Sequence, residues 1–219
     1  MQKDTRKLST KTFFSYCMYL SETISIRTAL NAHHKTEREL QEELQQVEAA
    51  KADPDKFAVL YDKYFRNIFV FVHRRTGDEE LTADLTQHVF LKAMVNIKRY
   101  EYKGVPFSAW LFRIALNEIN MYFRKSNKTR VVSLENESLA HIITEAKEND
   151  NEDNRKLLLG ALSKLKEDEM MLVELRFFEG RPFAEIGVIT GITENNAKVK
   201  MYRVLDKLKG MLKGKMGDG

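Results

Sequence analysis

The chain has 219 residues, of which 43% are hydrophobic and 31% charged, with only 3 Pro and 10 Gly. That is apolar material for one medium or two small compact cores, with few turns and long helices. The net charge of +4 is too small by itself to establish nucleic-acid binding, so the placement of the charges has to carry that question. One cysteine, Cys17, excludes an intramolecular disulfide and a cysteine metal cluster and fits a reducing cytoplasm.

No apolar run approaches the roughly 20 residues needed to span a bilayer. Near the start, Lys3, Arg6, Lys7 and Lys11 precede a short apolar patch over 13–20. That order opens a signal peptide, but Ser15 and Tyr16 interrupt the patch and no small-x-small cleavage site follows. Residues 1–35 show no helical stripe and are expected to be poorly ordered and dispensable. The histidines lack zinc-ligand spacing; the pair His33 and His34 reads as exposed and polar, and no metal or cofactor is expected.

In chain order, Leu40, Leu44 and Val47 suggest a helix within 31–50 that leads into a first domain. Asp53 and Pro54 are a helix start, with Asp as N-cap and Pro at the first position. Phe57, Leu60, Tyr61, Tyr64, Phe65, Ile68, Phe69 and Val72 then recur at steps of three and four, which predicts one apolar stripe on a helix. Thr76, Gly77 and Asp78 end it. Leu81, Leu85, Val89, Ala93 and Ile97 mark the next helix. A break over 103–106 separates it from a third, over about 107–125.

The charges then fall into blocks. Residues 113–130 carry Arg113, Arg124, Lys125, Lys128 and Arg130 against Glu118 alone. Residues 135–153 carry seven acids against Lys147. Such a stretch buries little and reads as a solvated linker, which places a domain boundary there. Beyond it, Leu158, Leu162 and Leu165 mark a helix, and Met171, Leu175 and Phe178 a second, ended by Gly180. A short helix over 182–189, a turn at Gly191 and a basic helix over 194–212 complete the chain. No segment alternates with period two. The expected fold is all-α, with two small helical domains joined by a flexible acidic linker. The divisions are 1–49 (a partly disordered extension), 50–128, a linker 129–153, and 154–219.

Three segments carry candidate chemistry. Residues 182–204 have the spacing of a helix-turn-helix. Gly187 sits where the helices cross, and Ile186, Ile192 and Ala197 point inward. Thr193 caps the second helix, which presents Glu194, Asn195, Asn196, Lys198 and Val199 near its start and Arg203 further along. Asn reads base edges bidentately; Lys and Arg meet phosphate or guanine. Spacing alone does not separate this from a helical hairpin with a solvated basic face. Residues 107–125 interleave Phe107, Trp110, Phe112, Tyr122 and Phe123 with Arg113, Arg124 and Lys125, a pattern suited to single-stranded nucleic acid. By periodicity Trp110 reads as core. Asp84, Gln87, His88 and Phe90 lie on an amphipathic helix whose acidic start, Asp78 to Glu80, reads as macrodipole chemistry rather than a metal or acid-base site.

In this order the three segments resemble the sigma-70 family of RNA polymerase sigma factors, in its extracytoplasmic-function (ECF) group. The resemblance rests on Leu60–Tyr61–Asp62–Lys63–Tyr64–Phe65, Asp84–Leu85–Thr86–Gln87, the run over 107–117, Leu175 to Gly180, Ala184 to Gly187, Gly191 to Thr193 and Ala197 to Lys200. It covers about residues 50–128 and 154–212. His88 stands where the family has Glu, Gly187 where it has Ala, and Ala197 where it has Val.

The resemblance implies a sigma factor, not an enzyme, acting in the cytoplasm with core RNA polymerase, promoter DNA and an anti-sigma factor as partners. It implies no membrane insertion and no small-molecule substrate. Asp84, Gln87, His88 and Phe90 would bind polymerase. Lys98, Arg99, Tyr100, Lys103, Trp110, Arg113, Asn117, Arg124 and Lys125 would meet the minus-ten element. Within that set the loop 98–106 and Asn117 would hold a flipped base. Thr193, Asn195, Asn196, Lys198, Val199, Lys200 and Arg203 would meet the minus-thirty-five duplex. A helix-turn-helix regulator working without polymerase would explain 182–204 but leave 84–125 unexplained. A metal-dependent nuclease has no catalytic constellation to support it.

Overall fold

The computed structural model describes residues 35–126 and 152–216, and all regular structure among them is helical. They fall into two compact units, one of residues 35–126 with 182–198, the other of residues 152–181 with 199–216. The expected linker 129–153 lies almost wholly outside the described residues, as do Cys17, His33, His34 and the patch over 13–20.

The first unit opens with α1 (Glu37–Ala52), closed at its start by a capping box. Thr36 Oγ1 accepts from the Glu39 amide while Glu39 accepts from the Thr36 amide. Asp53 then accepts from the Asp55 amide, and Pro54 begins a 3-10 turn (Pro54–Lys56) that runs into α2 (Phe57–Thr76). Gly77, at φ 64°, ends α2 in the left-handed region that glycine adopts without a side-chain clash. Asp78 caps α3 (Glu79–Asn96) by accepting from Leu81. A second 3-10 turn (Ile97–Arg99) and a loop lead to α4 (Phe107–Ser126).

The apolar stripes of α1 to α4 meet in one core. Val47, Leu60, Ile68, Phe71, Val72, Val89, Ala93, Leu111, Phe112, Ala115 and Ile119 are fully buried. Burying a side chain of this size stabilises by about 1.5–3 kcal/mol. Helix α1 packs on α2 and α4, so the folded part of this unit begins well before residue 50.

The core also encloses a charge. Glu43, in the middle of α1, is 1% exposed. One carboxylate oxygen accepts from Lys35 Nζ at 2.6 Å, and the other accepts from the Phe107 amide at 3.0 Å. Lys35 also bonds the Tyr64 hydroxyl, and Lys63 Nζ stands 3.6 Å from the same carboxylate. The carboxylate thus satisfies an orphan amide at the start of α4, where the helix dipole favours negative charge. Lys35, the last residue of the stretch expected to be poorly ordered, thus neutralises a buried acid.

The first unit is completed by α7 (Phe183–Thr190) and the start of α8 (Glu194–Met216), with α7 lying against α4. The second unit holds α5 (Glu152–Leu162), α6 (Glu167–Val173), a π-helical turn (Glu174–Phe178) and the remainder of α8. Its buried residues include Leu162, Met170, Leu172, Leu175, Met201, Val204 and Leu208. Lys207 on α8 donates to Glu169 on α6, and this bond holds the Glu169 carboxyl below the usual carboxylate range. A depressed carboxylate stabilises above its unfolded pKa, and the contribution is lost as pH falls through the folded one.

Removing Glu43 strands the Phe107 amide and leaves Lys35 without its anion. Glu43→Ala is expected to lower stability by about 2–3 kcal/mol, and Glu43→Gln, which keeps an acceptor, by less. Urea unfolding followed through the fluorescence of Trp110, the chain's one tryptophan, measures both. An unchanged midpoint in Glu43→Ala would contradict this role.

Candidate nucleic-acid and protein interfaces

Helix α3 presents its outer face over three turns. Asp84, Gln87 and His88 are all exposed there. The same face continues as Leu91 and Val95, 55% and 70% exposed, with Met94 beside them. These apolar residues were not singled out from the sequence. Their signal is that they fall off the stripe formed by Leu85, Val89 and Ala93, which is buried. Phe90 is a correction. It points into the core with its ring 4.8 Å from Tyr61 and 6.2 Å from Phe65, and only 3% of it is exposed.

The second candidate surface lies on α4 and the loop before it. Lys98, Arg99 and Lys103 are exposed, and so is Tyr102, an aromatic loop residue that sequence reasoning passed over. Tyr100 is a second correction, since it is buried. It packs against Phe107 at 5.0 Å and Trp110 at 5.3 Å, with Lys51 above its ring. Burial, and then the charge of nearby Glu43, push its phenol well above the ordinary range, so it stays neutral. Trp110 is half-buried in the same aromatic cluster, with its ring 5.3 Å from those of both Tyr100 and Phe107.

Further along α4, Asn117, Arg124 and Lys125 are exposed. Arg113 is half-buried, and its Nη1 donates to the Val188 carbonyl at 3.3 Å. Lys92 Nζ reaches across from α3 to Glu118, a nearly buried acid on α4, at 2.6 Å. That bond fixes the outer face of α3 relative to α4.

The third surface is the helix-turn-helix. Gly191, at φ 77°, makes the turn, and Thr193 Oγ1 accepts from the Asn196 amide as the expected N-cap. Ile186 and Ala197 are fully buried at the crossing, while Ile192 is half-exposed. A Cβ built on Gly187 would stand 2.8 Å from the Ile192 carbonyl oxygen and 3.2 Å from the Glu194 amide. The glycine that departs from the resembled pattern is therefore what the crossing requires, because neither backbone atom has room to give.

Thr193, Asn195, Asn196, Val199 and Arg203 are exposed on this helix, with Lys198 and Lys200 half-exposed. Lys198 is tied to Glu194 one turn earlier at 2.6 Å, which orients it along the helix. Tyr202, 60% exposed, joins this face and was missed because its spacing also suits a core position. Among the described residues no cluster of three His, Cys, Asp or Glu side chains could hold a metal, and no helix is long and apolar enough to cross a membrane.

The arrangement is shared with known proteins. The family model for sigma-70 region 2 matches residues 60–129, and that for sigma-70 region 4 matches residues 155–208. The ECF RNA polymerase sigma factor BldN of Streptomyces coelicolor is 32% identical over 170 residues, 76% of this chain and 64% of that protein's length. The RNA polymerase sigma factor CarQ of Myxococcus xanthus is 30% identical over 158 residues, 72% of this chain and 90% of its own. The solved structure of CnrH in complex with the cytosolic domain of CnrY has a TM-score of 0.54 at 21% identity, covering 78% of this chain and 97% of that one. The sigma factor RpoE of Bartonella quintana in complex with the anti-sigma factor NepR has a TM-score of 0.50 at 20% identity, covering 72% and 96%. These two structures share the fold.

The exposed and buried residues of α3 should separate by stability. Phe90→Ala is expected to cost about 3–5 kcal/mol through the cavity it leaves. Gln87→Ala and His88→Ala should each stay within about 0.5 kcal/mol of the parent. Thermal or urea unfolding decides; a neutral Phe90→Ala would return that residue to the surface set.

Proposed function

The chain belongs to the sigma-70 family of RNA polymerase sigma factors, in its ECF group, and from that premise we propose that it binds core RNA polymerase and directs promoter recognition for transcription initiation. The observation that carries this reading is the pairing of the two regions in order, 60–129 and 155–208, with exposed contact residues on each. A helix-turn-helix regulator working alone has no use for the first region. Members of the family are initiation factors without catalysis of their own, and this chain is read likewise, as a cytoplasmic protein. One similar structure is of a sigma factor in complex with the anti-sigma factor NepR, and a comparable partner is proposed here.

In this reading the outer face of α3, with Asp84, Gln87 and His88, docks on polymerase, and Leu91 and Val95 add apolar area. The exposed loop residues Lys98, Arg99 and Lys103, together with Asn117, hold the separated minus-ten strand. Extracting a base costs a few kcal/mol, which hydrogen bonds and stacking in a basic site offset. Arg124 and Lys125 neutralise phosphates. Helix α8 lies in the major groove of the minus-thirty-five duplex, with Asn195 and Asn196 at base edges and Lys198, Lys200 and Arg203 near the backbone. A domain boundary within 129–153 lets both regions engage one promoter, so that binding at one raises the effective concentration at the other.

Two measurements test this. Gln87→Ala combined with His88→Ala should weaken retention of core polymerase in a pull-down, and unchanged retention would count against the α3 assignment. With core polymerase bound, Asn195→Ala should weaken the closed complex by about 1–3 kcal/mol for a lost base contact. Asn117→Ala should spare the closed complex and impair opening, read by mobility shift beside permanganate reactivity of unpaired thymines. The reverse pattern would overturn the division of labour.

A further inference from the structure

The loop proposed to hold the separated strand is gripped at both ends by α1, a helix that finishes before the span 60–129 matched by the family model. Glu43, Val47, Ala50 and Lys51 stand at i, i+4, i+7 and i+8, one stripe of α1. Val47 and Ala50 are buried, and α1 packs against the 3-10 turn Ile97–Arg99 from which the loop departs. Tyr100, the first residue after that turn, points inward, and Lys51 Nζ lies 5.8 Å from the centre of its ring. Glu48 holds the same ammonium at 2.8 Å, and only 23% of the Lys51 side chain is exposed. At the other end of the loop, Glu43 accepts from the Phe107 amide. Glu43 and Lys51 are about 12 Å apart along the helix axis, so a rigid span fixes the separation of the two loop ends. The exposed residues Lys98, Arg99, Glu101, Tyr102 and Lys103 flank Tyr100 on both sides.

We infer that α1 is a positioning element for strand recognition, in which Lys51, acting through the Tyr100 ring, sets the pose of the loop 98–106 and thereby its choice of base. The inference rests on the minus-ten reading of that loop given above. Hydrogen bonds to a base edge depend on the placement of donor and acceptor. Contacts to phosphate carry no sequence information and tolerate more displacement. A loop released from Lys51 therefore keeps its cations, and with them much of its attraction for the strand, but discriminates less among bases. Lys51 itself is a positioning residue: its ammonium is occupied by Glu48 and the Tyr100 ring, and it reaches the strand only through the loop. Partial unfolding lowers the binding of every strand by one factor, so the ratio between bases separates positioning from a merely structural role.

The test uses holoenzyme and a panel of single-stranded minus-ten oligonucleotides that carry each base in turn at every position, with binding followed by fluorescence anisotropy. The parent should show a preferred base at one position or more. Lys51→Met, which keeps the apolar stem and removes the charge, should narrow the ratio of preferred to disfavoured base by roughly 2- to 5-fold, the worth of one partly exposed cation–π contact. Lys51→Arg, which keeps a cation over the ring, should restore the ratio. Closed-complex binding of the duplex promoter should match the parent in both variants. An unchanged ratio in Lys51→Met, a uniform loss for all bases, a weakened closed complex, or a failure of Lys51→Arg to restore the ratio overturns the positioning role and leaves the minus-ten reading standing. A parent holoenzyme that binds no oligonucleotide, or binds all of them alike, overturns the minus-ten reading and the positioning role with it.

Discussion

The buried carboxylate of Glu43 is the constraint on which the first unit is organised. A lone ionised acid inside a protein costs several kcal/mol, so it persists only where every lone pair is answered. Lys35 answers from the start of α1, and the Phe107 amide from the first turn of α4. The consequence is positional. The end of the 98–106 loop cannot shift without stranding the acid, so α4 enters the core at a fixed point. Every exposed residue further along α4 inherits that placement.

From this anchor the candidate interfaces are set on rigid helices. Lys92 and Glu118 couple α3 to α4, so the outer faces of the two helices move together. The aromatic cluster of Tyr100, Phe107 and Trp110 braces the loop from below. The exposed cations Lys98, Arg99 and Lys103 lie on the turn and loop that carry Tyr100. Rigid support of this kind lowers the ordering cost of binding, because the loop does not have to be fixed again on contact.

The helix-turn-helix shows the same economy at smaller scale. Its crossing is so close that Gly187 has no room for a Cβ, and its turn uses a positive φ at Gly191. The end of α7 finishes its hydrogen bonding with Arg113, a side chain from a helix 75 positions away in sequence. One guanidinium from α4 therefore completes the end of a helix far from it in sequence.

Much of this was legible in the sequence. The helices from Phe57 onward follow from stripes at steps of three and four and from Pro and Gly at their ends, because helical amphipathicity and capping are local. The helix-turn-helix was legible for the same reason: Gly187, Gly191 and Thr193 act within a dozen residues. Tertiary structure decided the rest. Phe90 and Tyr100 sit among exposed residues in sequence, and only the packing of α2 against α3 and of α4 beneath the loop buries them. No periodicity distinguishes Glu43 from the solvated acids of α1; its burial depends on an amide 64 residues away. Arg113 is one basic residue in a basic block until the fold brings a helix end to it. Local patterns fix which residues become helix and where each helix stops. Which face of a helix meets protein, and which partner a charge finds, depends on contacts between segments far apart in the chain.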